Sequence, residues 1–148
     1  MGIYTIVATV NYPGDNLPEN NTSTVVINNQ PVIASFPYLQ NFESGNGNFF
    51  VTGINSSWEY GAPASIKIDT AASGTKAWKT RLAGNYNDKE NSQLNSPCFD
   101  VSALANPMLS FSMAYDLEDC TGYGILCDAV WVEYSNDGIN WQKLGASG

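Results

Sequence analysis

The chain has 148 residues, 43% hydrophobic and 14% charged, with 14 acidic and 6 basic residues, no histidine and a formal net charge of −8. That charge disfavours nucleic acid, whose affinity rests on clustered Lys and Arg. The missing histidine removes His-based acid–base work, Ser–His and Cys–His nucleophile pairs and the commonest transition-metal ligand.

Polarity comes instead from Asn, Ser, Thr and Gly, which weaken helices and suit turns and β surfaces, so an all-β chain is expected. No apolar stretch approaches the ~18 residues of a membrane span, and no basic segment leads into a signal-type apolar run, so membrane insertion is not expected. The chain opens directly on a strand-like run, which reads as a piece of a longer exported protein.

In Ile3–Val10, Ile3, Thr5, Val7 and Thr9 alternate with Tyr4, Ile6, Ala8 and Val10. Both sets carry apolar groups, which predicts a strand buried on two faces. Pro13-Gly14-Asp15 and Pro18 supply turn chemistry, and Thr22–Asn28 is a second strand rich in β-branched residues. A lone hairpin is marginal in water. Residues 1–30 are therefore expected to close a sandwich domain, 31–36 to be a linker, and 37–148 to form a second unit.

In that second unit, Phe42-Glu43 reads as a strand end running into the turn around Gly45-Asn46-Gly47. Trp58–Tyr60 is a short aromatic strand stopped by Gly61-Ala62-Pro63, and Ala77–Leu82 a half-buried one. Further strands are expected at Ser92–Ser96 and Met108–Tyr115, with at most one helical turn in Val101–Asn106 before Pro107. Between Asp128 and Trp141, two alternating runs joined by Asn136-Asp137-Gly138 give a strong hairpin signal. Short strands at this spacing predict a sandwich or jelly roll.

The three cysteines are Cys98, Cys120 and Cys127. Cys120 and Cys127 flank a short Gly-containing loop; a bridge there, favoured over two buried free thiols, implies an oxidising compartment. Cys98, after Pro97, is then an unpaired and buried small hydrophobe.

Two resemblances sharpen the fold. GIYTIVATVNYPGDNLPENNTSTVVIN, residues 2–28, resembles the last two strands of the Ig-like, adhesion-associated CARDB type of bacterial surface domain. From about Phe36 onward, FPYLQNFE, SSWEYGAP, AASGTKAWKTRL, NSQLNSPCFDVSALANPMLSFSMAY and DAVWVEYSNDGINWQKLG follow in order. Together they resemble the jelly-roll unit shared by MAM-like domains and the cleaved-adhesin (choice-of-anchor J) domains of exported Bacteroidetes proteins. The resemblance implies an antiparallel β-sandwich; such units run on through further strands, so this one is expected to be truncated at its C-terminal end. SNDGINW approaches the Asp-box pattern S-x-D-x-G-x-x-W but is one residue short between Asp137 and Gly138, which disfavours a sialidase-type propeller and leaves a hairpin turn.

The resemblance to adhesin jelly rolls also implies a structural Ca²⁺ near Phe42-Glu43. Glu43 would give a carboxylate, and the turn Ser73-Gly74-Thr75 further oxygens, Ser73 and Thr75 among them; the alternative is a solvated strand-end charge. Asp116, Glu118, Asp119 and Asp128 bracket the Cys120–Cys127 loop, either as a solvated acidic surface or bridged by a cation to which Asp116 and Asp128 contribute. Trp58, Tyr60 and Tyr86 lie nearest loops and are the candidates for a sugar-stacking platform; Trp78, Trp131 and Trp141 read as core.

Nothing in the spacing singles out a catalytic constellation, so the chain is not expected to be an enzyme. The expected role is an extracellular adhesion or ligand-binding module, secreted or at the cell surface, whose partners are a glycan or protein ligand and the rest of its multi-domain parent. A carbohydrate-binding accessory module of a secreted hydrolase and a plain structural spacer are the alternatives.

Overall fold

The computed structural model describes residues 2–118, 120–123 and 127–145. Among these the chain forms ten strands, two single-turn 3-10 segments and no α-helix, so the all-β class stands. The strands pair two by two, in five separate ladders. Contacts divide the chain into two units, one ending at Ser112 and one beginning at Met113.

In the first unit, β1 (Gly2–Thr9) and β2 (Thr22–Asn29) form an antiparallel ribbon of eight residue pairs, from Gly2 opposite Asn29 to Thr9 opposite Thr22. The β-branched residues that predicted these strands sit in them as expected. The double-sided burial does not follow: Tyr4, Ile6, Val7, Val25 and Val26 are all exposed. Periodicity reports which side chains are apolar; what covers them is a separate matter, and β1 has β2 as its ladder partner on one edge alone.

Val32–Ile33, inside the stretch read as a linker, forms β3 and pairs in parallel with β8 (Cys98–Phe99), Val32 lying opposite Cys98. Cys98 is free, as expected, but exposed rather than buried: at this edge of the two-residue β8 the covered residue is Pro97, its neighbour. The chain reaches the rest of the unit through a cis Phe36-Pro37 bond.

Four further strands make up the middle of this unit. Antiparallel β4 (Phe50–Ile54) and β7 (Asn91–Asn95) pair Phe50 with Asn95, and β5 (Trp58–Gly61) and β6 (Ala77–Thr80) pair Tyr60 with Trp78. Gly53 is required here. Its φ is +97°, and a Cβ would collide with the Asn91 carbonyl oxygen across the ladder. Within Val101–Asn106 the helical turn does not form: a single hydrogen-bonded turn closes over 101–104, Leu104 N–H to Val101 O at 2.9 Å.

The stretch Met108–Tyr115, expected as a strand, carries no ladder, and Met108, Leu109, Phe111, Met113 and Tyr115 are exposed. In the second unit, β9 (Glu133–Tyr134) and β10 (Gln142–Lys143) form the expected hairpin, with a loop at 135–141. Four described residues are buried: Ser57, Pro63, Pro97 and Cys120. Order in the middle of the chain therefore rests on side-chain hydrogen bonding more than on an apolar interior.

Candidate functional site

Glu43 is held by an unusual approach. Gln40 Oε1 accepts the Phe42 N–H at 2.7 Å and Asn41 Oδ1 the Glu43 N–H at 3.1 Å. Between them Phe42 adopts a left-handed φ of 64°, sparsely populated for a bulky residue. This bend aims the Glu43 carboxylate at the 74–76 turn. Oε1 accepts the backbone N–H of Thr75 at 2.9 Å and of Lys76 at 2.7 Å, while Oε2 accepts the Thr75 hydroxyl at 3.0 Å. Lys76 Nζ donates to the Glu43 carbonyl at 3.3 Å.

Gly74 makes the approach possible: its φ is +63°, and a Cβ would sit 2.5 Å from Glu43 Cδ. The two N–H donors, Lys76 first and then Thr75, hold the Glu43 carboxyl below the usual carboxylate range. Glu43 and Thr75 thus meet, as expected of the metal set, but the Thr75 hydroxyl and two amide hydrogens point at the carboxylate. Donors aimed this way make a clamp between two segments; a cation at the same oxygens would face those hydrogens. Ser73 is exposed in the turn, next to Gly74.

A second clamp was not foreseen. Ser57, 6% exposed, gives both its N–H (2.9 Å) and its hydroxyl to the Glu90 carboxylate. Ser92 Oγ donates to Glu90 Oε1 and the Asn87 N–H to Oε2. Burial raises the Glu90 pKa, but the Ser57, Ser92 and Asn87 donors outweigh it and leave the group below its ordinary value. In sequence Glu90 is one more acidic residue in a polar loop, and only a known pairing of 55–57 with 87–92 would single it out.

Of the aromatic candidates, Tyr60 lies beside the Glu43 clamp. In the β5–β6 register Trp58 opposes Thr80 and Tyr60 opposes Trp78, so these four share a face. The Tyr60 and Trp78 rings are 5.7 Å apart at 45°, with Lys76 Nζ 6.0 Å from the Tyr60 centroid. Their polar ends are engaged: the Tyr60 hydroxyl donates to the Phe42 carbonyl, and Trp78 Nε1 to the Asn46 carbonyl at 3.0 Å. Phe42 and Phe49 meet edge to face at 5.4 Å. Tyr60 and Trp78 thus form a stitched seam with residues 42–49. Trp58 is half-buried on the same strand face, and Tyr86 is half-buried in the loop between β6 and β7.

On the opposite face, Glu59 Oε2 accepts the Leu82 N–H at 2.6 Å. Lys79 Nζ donates to Ser65 Oγ (2.6 Å) and to the Thr80 (3.1 Å), Arg81 (2.6 Å) and Gly84 (3.4 Å) carbonyls. Desolvation lowers the Lys79 pKa, against the opposing charge of Glu59.

In the second unit Cys120 and Cys127 are bridged as expected, with Cα atoms 5.6 Å apart. A Glu118 carboxylate oxygen and both sulfurs lie within 4.8 Å of one another. Sulfurs in a disulfide are not thiolates, so this trio lacks the ligands that a soft-metal site needs. Asp116 is exposed and Asp128 half-buried, each engaged in an interaction of its own; Asp119 lies outside the described residues.

The hairpin loop is organised by Asp137. Its Oδ1 accepts the Ile139 (2.8 Å) and Asn140 (2.7 Å) N–H groups, and its Oδ2 the Asn140 side-chain amide at 2.7 Å. These donors, Asn140 foremost, push the Asp137 carboxyl far below its usual value. Tyr134, Ser135, Asn136, Asp137, Asn140 and Gln142 surround a shallow cup of about 100 Å³.

No family model matches the chain, and no solved structure matches it. Over 108 residues, 73% of the chain, it is 38% identical to Bacillopeptidase F of Bacillus subtilis (strain 168). The match spans 7% of that protein's length. The Cys120–Cys127 bridge is consistent with an extracellular location, and no helix of the described residues is long and apolar enough to cross a membrane.

Proposed function

We propose that this chain is a non-catalytic adhesion or ligand-binding module of a larger extracellular protein. The observation that carries the reading is the scale of its likeness to Bacillopeptidase F: 108 residues at 38% identity that amount to 7% of the relative. Such a proportion is what a modular piece of a long chain gives. The disulfide and the absence of histidine from the sequence support it.

Within the reading, residues 37–148 are a jelly-roll unit and residues 1–30 the end of an Ig-like domain, joined through 31–36. The reading does not depend on the calcium expected at Glu43, whose carboxylate accepts from the Thr75 and Lys76 N–H groups and the Thr75 hydroxyl.

The relative's name favours a second version, an accessory module of a secreted hydrolase that holds the enzyme near its substrate. In both versions the module binds and does not cleave. Surface-immobilised chain presented to a panel of glycans and extracellular matrix proteins is expected to show saturable binding to at least one, with no hydrolysis of casein. Absence of binding across the whole panel reduces the chain to a spacer; casein cleavage overturns the non-catalytic reading.

A further inference from the structure

The β9–β10 hairpin has two unlike faces. The register sets Tyr134 opposite Gln142 and Glu133 opposite Lys143, and the Leu144 N–H bonds the Val132 carbonyl at 2.8 Å. Alternation then places Val132, Tyr134, Gln142 and Leu144 on one side. Trp131, Glu133, Trp141 and Lys143 fall on the other. Contacts agree for Trp131: Lys143 Nζ lies 4.1 Å from its ring centroid, and its Nε1 donates to Glu133 Oε1 at 2.7 Å. Trp141, the residue just before β10, is placed by the alternation alone.

A directly opposed Glu–Lys pair marks the solvent side of a ribbon, since burying both charges would need further compensation. The side with Val132 and Leu144 is the one suited to an interior. Exposure does not separate the two sides, since Tyr134 and Leu144 are 44% and 52% exposed and Trp131 and Trp141 53% and 49%; the Glu133–Lys143 pair does, and it leaves the two tryptophans on the wet face. In the seam of Tyr60 and Trp78 the polar ends bond the Phe42 and Asn46 carbonyls, whereas Trp131 Nε1 bonds Glu133 on its own strand.

Four residue steps separate Trp131 from Trp141 along the ribbon, roughly 13 Å, with the Glu133–Lys143 pair between them. Several consecutive sugar rings cover such a span. The charges on this face cancel, while the chain as a whole carries −8, so a neutral polymer fits and a polyanion is repelled.

We propose that the Trp131–Trp141 face is a platform for a neutral polysaccharide. The indoles stack on pyranose C–H faces, and Glu133 and Lys143 between them hydrogen-bond hydroxyls. Lys143 covers one face of Trp131 and leaves the other to the sugar. This names the site of the binding module proposed above and rests on that reading.

Affinity electrophoresis of the whole chain through gels containing hydroxyethylcellulose, galactomannan or alginate tests it. Retardation is expected in at least one neutral gel and not in alginate. Trp131→Ala and Trp141→Ala should each weaken it at least tenfold. Trp131→Phe and Trp141→Phe, with an unchanged far-ultraviolet circular dichroism spectrum, should keep most of it and separate lost stacking from lost folding. Retardation in a neutral gel that survives both alanine substitutions overturns the site and leaves the module reading intact. No retardation in either neutral gel, or stronger retardation in alginate, overturns the neutral-glycan platform; the module reading falls only if the broader panel is blank as well.

Discussion

The β1–β2 ribbon and the segment from Gln40 to Ser92 are both built from two-stranded ladders, yet they are held together differently. The ribbon has eight backbone pairs, no charged residue in either strand and apolar side chains open to solvent. The middle segment has strands of four and five residues, too short to persist alone. It is pinned by carboxylates reaching across sequence: Glu43 to 75–76, Glu59 to Leu82, Glu90 to Ser57. In a chain where few residues are charged, these acidic groups serve as hydrogen-bond acceptors that tie segments together, whereas the ribbon depends on whatever covers its faces.

That contrast can be broken at several points. The largest effect is expected from the covalent tie in the second unit. Replacing Cys120 and Cys127 with serine opens a loop of sequence separation 7, which the chain-entropy relation values at about 2.5 kcal/mol. Denaturant unfolding followed by Trp131 and Trp141 fluorescence should register it, and reductant added to the native protein should reproduce it.

Next comes the Glu90 clamp. Glu90→Ala leaves the N–H and hydroxyl of buried Ser57 without their acceptor, at about 2 kcal/mol; Glu90→Gln, which keeps an acceptor oxygen, should lose less. An equal loss in both would mean that charge rather than hydrogen bonding secures Ser57.

Gly74→Ala forces a side chain into left-handed backbone and against Glu43, and should destabilise by about 1 kcal/mol or more. A neutral outcome would show that the 74–76 turn is not fixed by Glu43.

Acid attacks the clamps together. Glu43, Glu90 and Asp137 all have carboxyl pKa values lowered by folding. Their contribution is fully present above the unfolded values of about 4 and is lost as pH falls through the lower folded ones. Melting temperature should hold nearly level from pH 7 to about 5 and drop below about 4. A steady decline beginning near neutrality would contradict this assignment. The smallest effect is expected of chelation: with Glu43 engaged by protein donors, EDTA should leave the melting curve unchanged, and a clear drop would return calcium to that carboxylate.

Much of the secondary structure was legible in sequence. β-branched alternation located β1 and β2, aromatic and apolar alternation located β5 and β6, and Asn136-Asp137-Gly138 located the last hairpin. The loop flanked by Cys120 and Cys127 gave the bridge. Pairing was not legible, because β3 meets β8 across more than sixty residues of chain and neither strand's composition names its partner. The clamps were hidden for the same reason: a carboxylate's role depends on which N–H groups the fold turns toward it.

The tryptophans teach a similar point. Tyr60 lies near a loop and suggests exposure, yet the β5–β6 pairing sets it against Trp78 in a seam. Trp131 looked like core from its place in an apolar run, and only the register that sets Glu133 opposite Lys143 turns it toward water.

The most direct measurement of the account as a whole is a calorimetric titration of the intact chain with the tightest partner found in the panel, followed by chemical examination of the recovered partner. The account predicts a saturable isotherm and a partner returned unaltered. A cleaved or modified partner, or heat that never saturates, would contradict it.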